Sequence, residues 1–297
     1  MPVRVAVVGL GHMGRLHLQK LLQMKDVEVV ALCDKEEGRR RDYPSFPFFS
    51  DPYELPSICD AVLLCTPATT HYGLARRFLE EKRHVFVEKP LATRSEEAKE
   101  LVEMAKKKGV VLRTGFIERF NPTFKRALSM RLSPFFVEIS RQTAFTGRGT
   151  DVSVVMDLMI HDIDLSLLLL GGNIKDLSAF GLSLVTDKVD VACADIFLED
   201  GGRLCLKTSR IAPVQRREML VYEDGRSLLF DLLNGRIAVR QKEGGYEEEI
   251  GRADPLKDEL SEFFSAVLGS TCNPVDETPI FSIRVAEEIE RRLGKVR

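Results

Sequence analysis

Short runs of apolar and β-branched residues alternate with amphipathic segments through the first 114 positions of the chain. The amphipathic segments at 12–24, 71–81 and 95–108 have the period of helices, and the apolar runs have the length of buried strands. This alternation is typical of a parallel sheet with helices on both faces. We predict a six-stranded sheet, and the apolar runs locate five of its strands at residues 3–8, 27–33, 61–65, 84–87 and 110–114.

Near residue 118 the pattern changes to longer strand-like segments. Acidic glycine-containing turns separate several of them, as at Glu199-Asp200-Gly201-Gly202, which is typical of an antiparallel sheet. We predict strands at 135–143, 174–185, 191–198, 202–210, 218–222 and 227–231. Helices are predicted at 121–130, 156–170, 256–268 and 280–293, either covering one face of this sheet or packing back on the first domain. The sequence therefore predicts an α/β protein of two domains, residues 1–118 and 119–297.

The charge balance and the apolar runs limit the kinds of partner. Lys and Arg number 43 and Asp and Glu number 45, so the net charge of −2 gives no reason to expect nucleic acid or an anionic membrane as a partner. The apolar runs fall far short of the roughly 20 residues that a membrane-spanning helix needs. We expect a small-molecule substrate and a cytoplasmic protein.

The cysteines of the sequence lie apart from one another, without a CxxC pair. We expect buried, reduced thiols and no metal site. The six residues are Cys33, Cys59, Cys65, Cys193, Cys205 and Cys272.

The first predicted strand ends in the glycine turn Gly9-Leu10-Gly11-His12-Met13-Gly14, which opens the first predicted helix. This is the context that a dinucleotide-binding fingerprint requires. Gly9 permits the tight turn, Gly11 lets the backbone approach a pyrophosphate, and Gly14 lets the helix pack closely on the strand. Free amide groups at the start of the helix, where His12 and Met13 stand, would face the anion. The turn therefore predicts a dinucleotide cofactor.

Asp34 lies 20 residues after Gly14, at the end of the second predicted strand. A carboxylate at that position binds the ribose hydroxyls of NAD and repels the additional phosphate of NADP. The basic cluster Lys35, Arg39, Arg40 and Arg41 follows it. Such a cluster could bind that phosphate, although basic runs are more often solvated surface. We expect NAD as the cofactor, with NADP as the alternative.

Three further segments carry a recognisable pattern. They are Cys65-Thr66-Pro67 followed by His71, the stretch Val85-Phe86-Val87-Glu88-Lys89-Pro90-Leu91-Ala92, and Gly115-Phe116-Ile117-Glu118-Arg119-Phe120. Together with the glycine turn and a later helix bearing Asp157 and His161, they resemble in order and spacing the Gfo/Idh/MocA family of oxidoreductases. The resemblance spans more than half of the chain.

The resemblance implies a Rossmann dinucleotide-binding domain followed by an α/β domain with a large open, mostly antiparallel sheet. It implies an enzyme that transfers a hydride between nicotinamide and a carbinol carbon of a sugar, cyclitol or related molecule. The expected cofactor site then comprises Gly9, Gly11, His12, Met13, Gly14, Asp34, Lys35, Cys65, Thr66, Pro67, His71, Glu88 and Lys89. The expected substrate site comprises Lys89, Glu118, Arg119, Asp157, His161 and Asp164.

Lys89, His161 and Asp157 are the expected catalytic residues. Lys89 stands at a predicted strand end, where open α/β sheets bind ligands, and its ammonium group can stabilise alkoxide charge. On a regular α-helix His161 lies about 40° from Asp157 and Asp164 about 20° from it on the other side, so the three share one face. Asp162 lies on another face. An imidazole suits proton abstraction near neutral pH, so we expect His161 to act as general base and Asp157 to orient it or hold a hydroxyl, while Asp164 adds substrate contacts.

Within the family, residues 115–122 (GFIERFNP) and 157–165 (DLMIHDIDL) look most like members that oxidise C3 of UDP-N-acetylglucosamine. The chain departs from the common pattern at Ser153-Val154-Val155-Met156, where a glycine-rich lead-in is usual. A nucleotide sugar needs cations for its diphosphate. The candidates, each more often a solvated surface residue, are Arg119, Arg141, Arg148, Arg210, Arg216 and Arg217.

Two other functions stay open at the level of sequence. One is a glycosidase of the same superfamily, which oxidises C3 transiently and shows no net use of NAD. The other is a catalytically idle dinucleotide-binding sensor. The presence of Lys89, Asp157 and His161 together argues against the sensor, which would need only the glycine turn. A large open sheet would expose a broad apolar face, so we expect a homodimer or homotetramer.

Overall fold

A computed structural model describes residues 1–171, 173–270 and 274–294, which form two compact units. The first unit comprises Met1–Gly115 and Leu256–Phe281, and the second comprises Phe116–Pro255 and the segment from Ser282 onward. The sequence predicts one boundary at residue 118 and leaves open whether a later helix packs back on the first domain. In the structure the change of unit falls between Gly115 and Phe116, and a later segment returns to the first unit.

The first unit contains a six-stranded, wholly parallel sheet. Its strands are β1 (Val3–Val8), β2 (Val27–Cys33), β3 (Phe48–Phe49), β4 (Ala61–Leu64), β5 (His84–Glu88) and β6 (Leu112–Gly115). Their order, β3-β2-β1-β4-β5-β6, is that of the Rossmann dinucleotide-binding fold. The order reverses between β1 and β4, and such sheets bind their ligands outside the carboxyl ends of the strands at that point.

The strand that the apolar runs did not locate is β3. It is two residues long and follows Pro47, in a segment rich in prolines. Leu32 and Cys33 of β2 pair with its two phenylalanines. A strand of this length has no period-2 pattern to detect, which is why only the expected number of strands pointed to it.

Helices connect the strands of the first unit. They are α1 (His12–Leu21), α2 (His71–Glu80) and α3 (Ser95–Lys108), the last of which ends at Gly109 in the left-handed conformation with φ of 67°. Short 3₁₀ turns lie at Glu37–Asp42, Pro52–Ser57 and Ala68–Thr70. The three predicted helices are therefore present, with α1 ending a few residues earlier than the pattern indicates.

The second unit contains an eight-stranded sheet. Its strands are β7 (Phe136–Gln142), β8 (Ile174–Leu182), β9 (Val191–Leu198), β10 (Arg203–Ser209), β11 (Arg216–Glu223), β12 (Arg226–Asp231), β13 (Arg236–Gln241) and β14 (Gly244–Glu249). They lie in the order β14-β13-β12-β11-β7-β10-β9-β8. β7 and β10 are parallel, and every other neighbouring pair is antiparallel. The prediction of a large, mostly antiparallel sheet is confirmed.

The sequence did not locate β13 and β14. β14 is the edge strand, is exposed along almost all its length, and consists of glycines, a tyrosine and glutamates. Exposed charge on an edge strand discourages pairing with other chains, but it also removes the alternation by which a strand is recognised. The two additional strands extend the sheet beyond β12.

The two faces of this sheet differ. One face is apolar and buried, with Val137, Ile139, Met219 and Phe230 fully covered. The outer face, as we call the opposite one, carries exposed aromatic residues beside ion pairs such as Lys207 with Glu138. Its aromatic residues are Phe136, Phe180, Phe197 and Tyr222.

Helical segments in the second unit precede and follow β7. A 3₁₀ turn at Ile117–Phe120 leads into α4 (Pro122–Ser129), whose first turn is capped by the side chain of Asn121. The later segment consists of one π-helical turn (Val155–Met159) followed by α5 (Ile160–Leu170). The sequence predicts a regular α-helix over this whole segment, so the π-helical turn is a correction.

The last two helices are α6 (Pro255–Val267) and α7 (Thr278–Arg292). Leu260 and Phe263 of α6 belong to the core that also contains Val5 and Phe86 of the first sheet. The rings of Phe86 and Phe263 meet edge to face, with 5.7 Å between their centroids. This packing is the reason that the segment containing α6 belongs to the first unit.

Two further expectations concern the state of the cysteines and the presence of membrane-spanning helices. Cys33 and Cys59 are buried, Cys65, Cys193 and Cys205 are half-buried, and all five are free thiols, while Cys272 lies outside the described residues. Burial raises the pKa of Cys33 to about 12 and that of Cys59 to about 11. Among the described residues, no helix has both the length and the apolar character needed to cross a bilayer.

Candidate active site

Two glycines of the turn after β1 are enclosed by backbone. Gly9 has a φ of 89°, and a Cβ added there would lie 2.5 Å from the carbonyl oxygen of Cys65. A Cβ on Gly14 would lie 2.9 Å from the carbonyl carbon of Gly9 and closer still to its oxygen. Both positions therefore require glycine for close packing of α1 against β1 and β4.

Gly11 is in a different environment. A Cβ there would meet no described atom within 4 Å, so its α-carbon faces open space. Gly11 is also the N-cap of α1 and, as a glycine, offers no side chain to cap the first amide groups of this helix. An open helix N-terminus beside an unobstructed glycine fits the pyrophosphate of a dinucleotide.

Asp34 follows β2 and is held against the glycine turn. The backbone amide of Leu10 donates to its Oδ2 at 2.7 Å, and that of Glu36 donates to its Oδ1 at 2.9 Å. Arg39 lies beside this carboxylate, with Nε 3.4 Å from Oδ2, and donates to the carbonyl oxygen of Leu10. Lys35, next in the chain, is exposed. The structure therefore ties the predicted ribose-binding carboxylate to the predicted pyrophosphate-binding turn.

Lys89 follows directly on β5, is half-buried, and precedes Pro90 through a cis peptide bond. Its neighbour Glu88 is buried, with Oε1 2.6 Å from Nε2 of His17 on α1. Burial acts to raise the pKa of Glu88, but the hydrogen bond and charge of His17 and the charge of Lys89 outweigh it, so the pKa lies below its usual value. A buried hydrogen bond between α1 and β5 thus fixes the end of the strand that carries Lys89.

His71, the first residue of α2, is buried between two loops. Its Nδ1 lies 2.7 Å from the carbonyl oxygen of Pro90, and its Nε2 lies 2.8 Å from that of Thr66. Burial lowers the pKa of His71, and the two carbonyl oxygens oppose that shift. This ring connects the loop after β4, which contains Cys65 and Pro67, to the loop after β5.

The residues predicted to bind the cofactor therefore share one edge of the first sheet. The glycine turn follows β1, Asp34 follows β2, the segment from Cys65 follows β4, and Lys89 follows β5. Because all of these strands are parallel, their carboxyl ends lie on the same side. That edge is where a Rossmann fold binds a dinucleotide.

In the second unit, His161 lies in the first turn of α5 and is 7% exposed. Its ring meets the buried ring of Phe116 edge to face, with 6.1 Å between centroids and 82° between planes. The guanidinium carbon of Arg119 lies 4.8 Å from the centroid of the same phenylalanine ring. Phe116 therefore packs between the predicted base and a predicted substrate-binding arginine.

Asp157 lies within the π-helical turn and not on a regular helix. A π-helical turn contains more residues than an α-helical turn, so the 40° separation of Asp157 and His161 expected for an α-helix does not hold. Gly149 lies next to Asp157, because a Cβ on that glycine would lie no more than 2.7 Å from three atoms of the carboxyl group. π-helical turns are frequent at functional sites, which agrees with a role for Asp157.

Asp164 is fully buried and hydrogen-bonded to protein groups. Arg119 donates to both of its carboxylate oxygens, with Nε 2.6 Å from Oδ2. The hydroxyl group of Ser282 on α7 lies 3.2 Å from Oδ1. The carboxylate that the sequence groups with the substrate ligands is therefore bound by Arg119, another predicted substrate residue.

Glu118 belongs to a buried cluster with Arg141, Asp162 and Arg217. Arg141 donates to both carboxylates, with Nη1 3.0 Å from Oε1 of Glu118 and Nη2 2.7 Å from Oδ1 of Asp162. Arg217 lies 2.8 Å from the same Oε1. Two carboxylates and two guanidinium groups balance in charge, so the cluster can remain ionised inside the unit.

The pKa shifts in this cluster follow from burial and from the neighbouring charges. Burial acts to raise the pKa of Glu118, but Arg141 and Arg217 outweigh it and lower the pKa below its usual value. Burial acts to lower the pKa of Arg141, but Asp162 and Glu118 outweigh it and raise the pKa. For Asp162 burial prevails, and its pKa is raised. Arg141 is thus the group on which both carboxylates depend.

Removing the guanidinium group of Arg141 should destabilise the protein strongly. Arg141→Met leaves two buried carboxylates with Arg217 alone, and breaking a buried ion pair from one side costs about 3–5 kcal/mol. Urea unfolding followed by circular dichroism measures the change. Arg236→Met, at an exposed ion pair on β13, is the control and should change stability by less than about 1 kcal/mol. Equal losses for the two variants would contradict the structural importance of the cluster.

The six arginines considered for a diphosphate fall into three groups by their exposure. Arg141 and Arg210 are buried and bonded to protein groups, so they are not accessible to a substrate. Arg119 and Arg217 are partly exposed beside their carboxylate partners. Arg148 and Arg216 are exposed.

Sequence reasoning missed several residues that hold the site together. His17 lies three positions after Gly14, and nothing in the pattern showed that its helical face meets Glu88. Asp162 was set aside because it does not share the face of His161, yet it is completely buried on Arg141. A buried position inside the apolar stretch of α5 was the signal that could have identified Asp162 as a paired carboxylate.

Comparison with known proteins gives matches over both units. Residues 3–116 match the model of an oxidoreductase family with an NAD-binding Rossmann fold, and residues 128–228 match the Gfo/Idh/MocA C-terminal domain. The chain is 31% identical to UDP-N-acetylglucosamine 3-dehydrogenase of Acidithiobacillus ferrooxidans, over 89% of this chain and 88% of that protein. It is 31% identical to the NAD-dependent scyllo-inositol 2-dehydrogenase of Bacillus subtilis, over 71% and 68%.

A solved structure of the same Acidithiobacillus ferrooxidans enzyme superposes with a TM-score of 0.91 at 29% identity, covering 99% of this chain and 98% of that one. The fold of both units agrees with these matches. The chain belongs to the Gfo/Idh/MocA family of NAD(P)-dependent oxidoreductases.

Proposed function

We propose that the chain oxidises the C3 hydroxyl group of UDP-N-acetylglucosamine, or of a closely related UDP-sugar, with NAD. The observation that carries this proposal is the extent of the similarity to UDP-N-acetylglucosamine 3-dehydrogenase, 89% of this chain and 88% of that protein. The similarity to scyllo-inositol 2-dehydrogenase covers 71% and 68%. A match at 31% identity that extends through both units favours the nucleotide sugar.

His161 is the proposed general base. Bound NAD supplies the hydride acceptor, so the protein has to bind the sugar and remove one proton. A neutral imidazole can accept that proton from the C3 hydroxyl group near pH 7. The edge-to-face contact with Phe116 restricts the plane of the ring. We assign Asp157 the task of orienting His161 or a neighbouring hydroxyl group.

Lys89 is proposed to donate a hydrogen bond to the reacting oxygen and to stabilise the negative charge that develops on it. Its place after β5 is where ligands of open α/β sheets bind. The hydrogen bond between Glu88 and His17 restricts the backbone before Lys89, and the contact of His71 with the carbonyl oxygen of Pro90 restricts the backbone after Lys89. These supports favour a fixed position for the ammonium group.

The remaining predicted substrate residues have different proposed tasks. Arg119 retains some exposure and is proposed to contact the substrate, with Asp164 holding its guanidinium group in place. Glu118 is nearly covered, so we assign it the positioning of Arg217, one third of whose side chain is exposed. This division follows the accessibility of each charged group.

The preference for NAD over NADP is proposed to rest on Asp34. Asp34→Asn should raise the ratio of kcat/KM for NADP to that for NAD at least about tenfold, because the carboxylate that repels the additional phosphate loses its charge while the residue can still accept a hydrogen bond from Leu10. Kinetics with both cofactors measure the ratio. Asp42→Asn, at an exposed position near the same basic cluster, is the control. An unchanged ratio in Asp34→Asn would show that another group decides the preference.

The outer face of the second sheet is proposed to form the contact of a homodimer or homotetramer. It presents Phe180, Phe197 and Tyr222 with at least 40% of each side chain exposed, and contiguous exposed aromatic residues mark interfaces. Phe180→Asp should reduce the mass measured by light scattering after gel filtration. Tyr53→Asp, an equally exposed aromatic position in the first unit, should leave the mass unchanged. A monomeric wild-type protein would refute this assembly.

The test of the proposed function is incubation of the protein with NAD and one candidate substrate at a time while the absorbance of NADH is followed. UDP-N-acetylglucosamine should give NADH and a 3-keto sugar, and scyllo-inositol and N-acetylglucosamine should give little. Release of UDP without accumulation of NADH would instead identify the glycosidase. Binding of NAD with no turnover on any UDP-sugar, free sugar or cyclitol would identify the sensor.

A further inference from the structure

The segment between β7 and Ser153, residues 143–152, forms a loop beside Asp157. Its base is fixed by backbone hydrogen bonds from Thr143 to Ser209 and from Ala212 to Thr143. Gly149 within it has a φ of 64° and packs so closely on the carboxyl group of Asp157 that a Cβ there would require this group to move. The loop therefore forms one wall of the space that this carboxylate can occupy.

Arg210, the residue after β10, attaches this loop to the second sheet. Its Nη1 donates to the carbonyl oxygen of Gly149 and its Nη2 to that of Val152, both at 3.0 Å. Arg210 is 3% exposed. A buried guanidinium group is costly unless its donors and its charge are satisfied. Two of its donors are therefore used to hold the part of the loop that touches Asp157.

Asp190 supplies the countercharge for Arg210. Its carboxylate is completely buried and accepts hydrogen bonds from the backbone amides of Leu184, Val185 and Thr186. Burial acts to raise the pKa of Asp190, but these bonds outweigh it and lower the pKa to about 2. Its Oδ1 lies 3.9 Å from Nε of Arg210. The carboxylate is thus ionised at neutral pH.

We propose that Arg210 is a positioning residue for Asp157: by binding the carbonyl oxygens of Gly149 and Val152 it holds the 143–152 loop against the carboxylate and fixes the orientation in which that carboxylate acts. The inference rests on the role of Asp157 in the proposed function. Small displacements of a group in the reaction site lower the rate strongly, and a misplacement of about 1 Å can cost about a hundredfold. Arg210 acts through Asp157 and does not touch the substrate.

The proposal predicts the effects of three substitutions on kinetics with UDP-N-acetylglucosamine. Arg210→Met should lower kcat about 10- to 100-fold, with the affinity for NAD unchanged within about twofold. Arg210→Lys should be intermediate, because an ammonium group lacks the planar pair of donors that reaches both carbonyl oxygens. Gly149→Ala should reproduce the loss from the other side, since its Cβ displaces the carboxyl group directly. Arg236→Met is the matched control and should behave as wild type.

The decisive measurement is a double-mutant cycle with Asp157→Asn. If Arg210 acts through Asp157, Arg210→Met added to Asp157→Asn should lower kcat by no more than about twofold beyond Asp157→Asn alone. If it lowers kcat in that background as much as in wild type, the inference is wrong even though Asp157 matters. If Asp157→Asn alone leaves kcat unchanged, the proposed role of Asp157 is wrong, and the inference about Arg210 is wrong as well. Should Arg210→Met fold poorly, the same cycle with Arg210→Lys decides between these outcomes.

Discussion

Replacement of His161 by Ala is expected to lower kcat/KM for sugar oxidation by about 10²- to 10⁴-fold, the usual contribution of a positioned general base. The proton of the hydroxyl group must then pass to water, so the loss falls mainly on kcat. Raising the pH should restore part of the rate, because hydroxide can substitute for the missing base. The affinity for NAD should be unchanged, since the glycine turn and Asp34 belong to the first unit. Steady-state kinetics and fluorescence titration with NADH measure the two quantities.

Two variants control for damage to α5. His161→Asn keeps a polar side chain of similar size beside Phe116 and should lose nearly as much activity. Leu168→Ala, at a position 38% exposed on the same helix, should retain activity. If His161→Ala kept more than a tenth of the wild-type kcat at neutral pH, the assignment of the base would have to be abandoned.

Gly11→Ala and Gly14→Ala are expected to fail for different reasons. Gly11→Ala should weaken NAD binding about 10- to 100-fold, comparable to losing a hydrogen bond to a charged group. The protein without cofactor should keep its stability, because the new methyl group meets no described atom within 4 Å. Gly14→Ala should destabilise the protein itself by at least about 1–3 kcal/mol, because the methyl group overlaps the carbonyl group of Gly9.

Thermal unfolding without cofactor and titration with NADH separate the two effects. Gly109→Ala, far along the chain at the end of α3, is not a suitable control, because its φ of 67° makes any side chain unfavourable. Gly73→Ala on α2 is suitable, since its new methyl group also meets no described atom within 4 Å. If the Gly11→Ala protein bound NAD as tightly as wild type, the assignment of the pyrophosphate site to this turn would be wrong.

Local pattern was sufficient for most of the fold. The period of 2 in β9 and the apolar run of β1 each identify a strand without reference to the rest of the chain. The pattern did not predict β14, because an exposed edge strand of mostly glycine and glutamate shows no alternation of buried and exposed positions. The sequence left open which unit α6 belongs to, because the apolar face of a helix does not specify which apolar surface it covers. Phe263 would have packed equally well, on sequence grounds, against either sheet.

The candidate site shows the same limit in another form. Spacing identified Gly11, Asp34 and Lys89, because each occupies a fixed place relative to a strand end. Spacing could not assign partners to charged groups, so it gave no indication that Arg119 binds Asp164. Nor could it reveal the π-helical turn, which changes the direction of Asp157 relative to the helix that follows. Ion pairs between distant segments depend on tertiary packing that a single sequence does not encode locally.

The discontinuity of the first unit affects how the protein can be divided and how it is made. A fragment ending at Gly115 would lack Leu260 and Phe263, and the apolar surface around Phe86 that they cover would be left to water. Such a fragment should aggregate when expressed alone, although it contains every residue of the glycine turn. On the ribosome, too, the first unit stays incomplete until α6 has emerged. Co-expression of a peptide containing α6 should rescue the fragment.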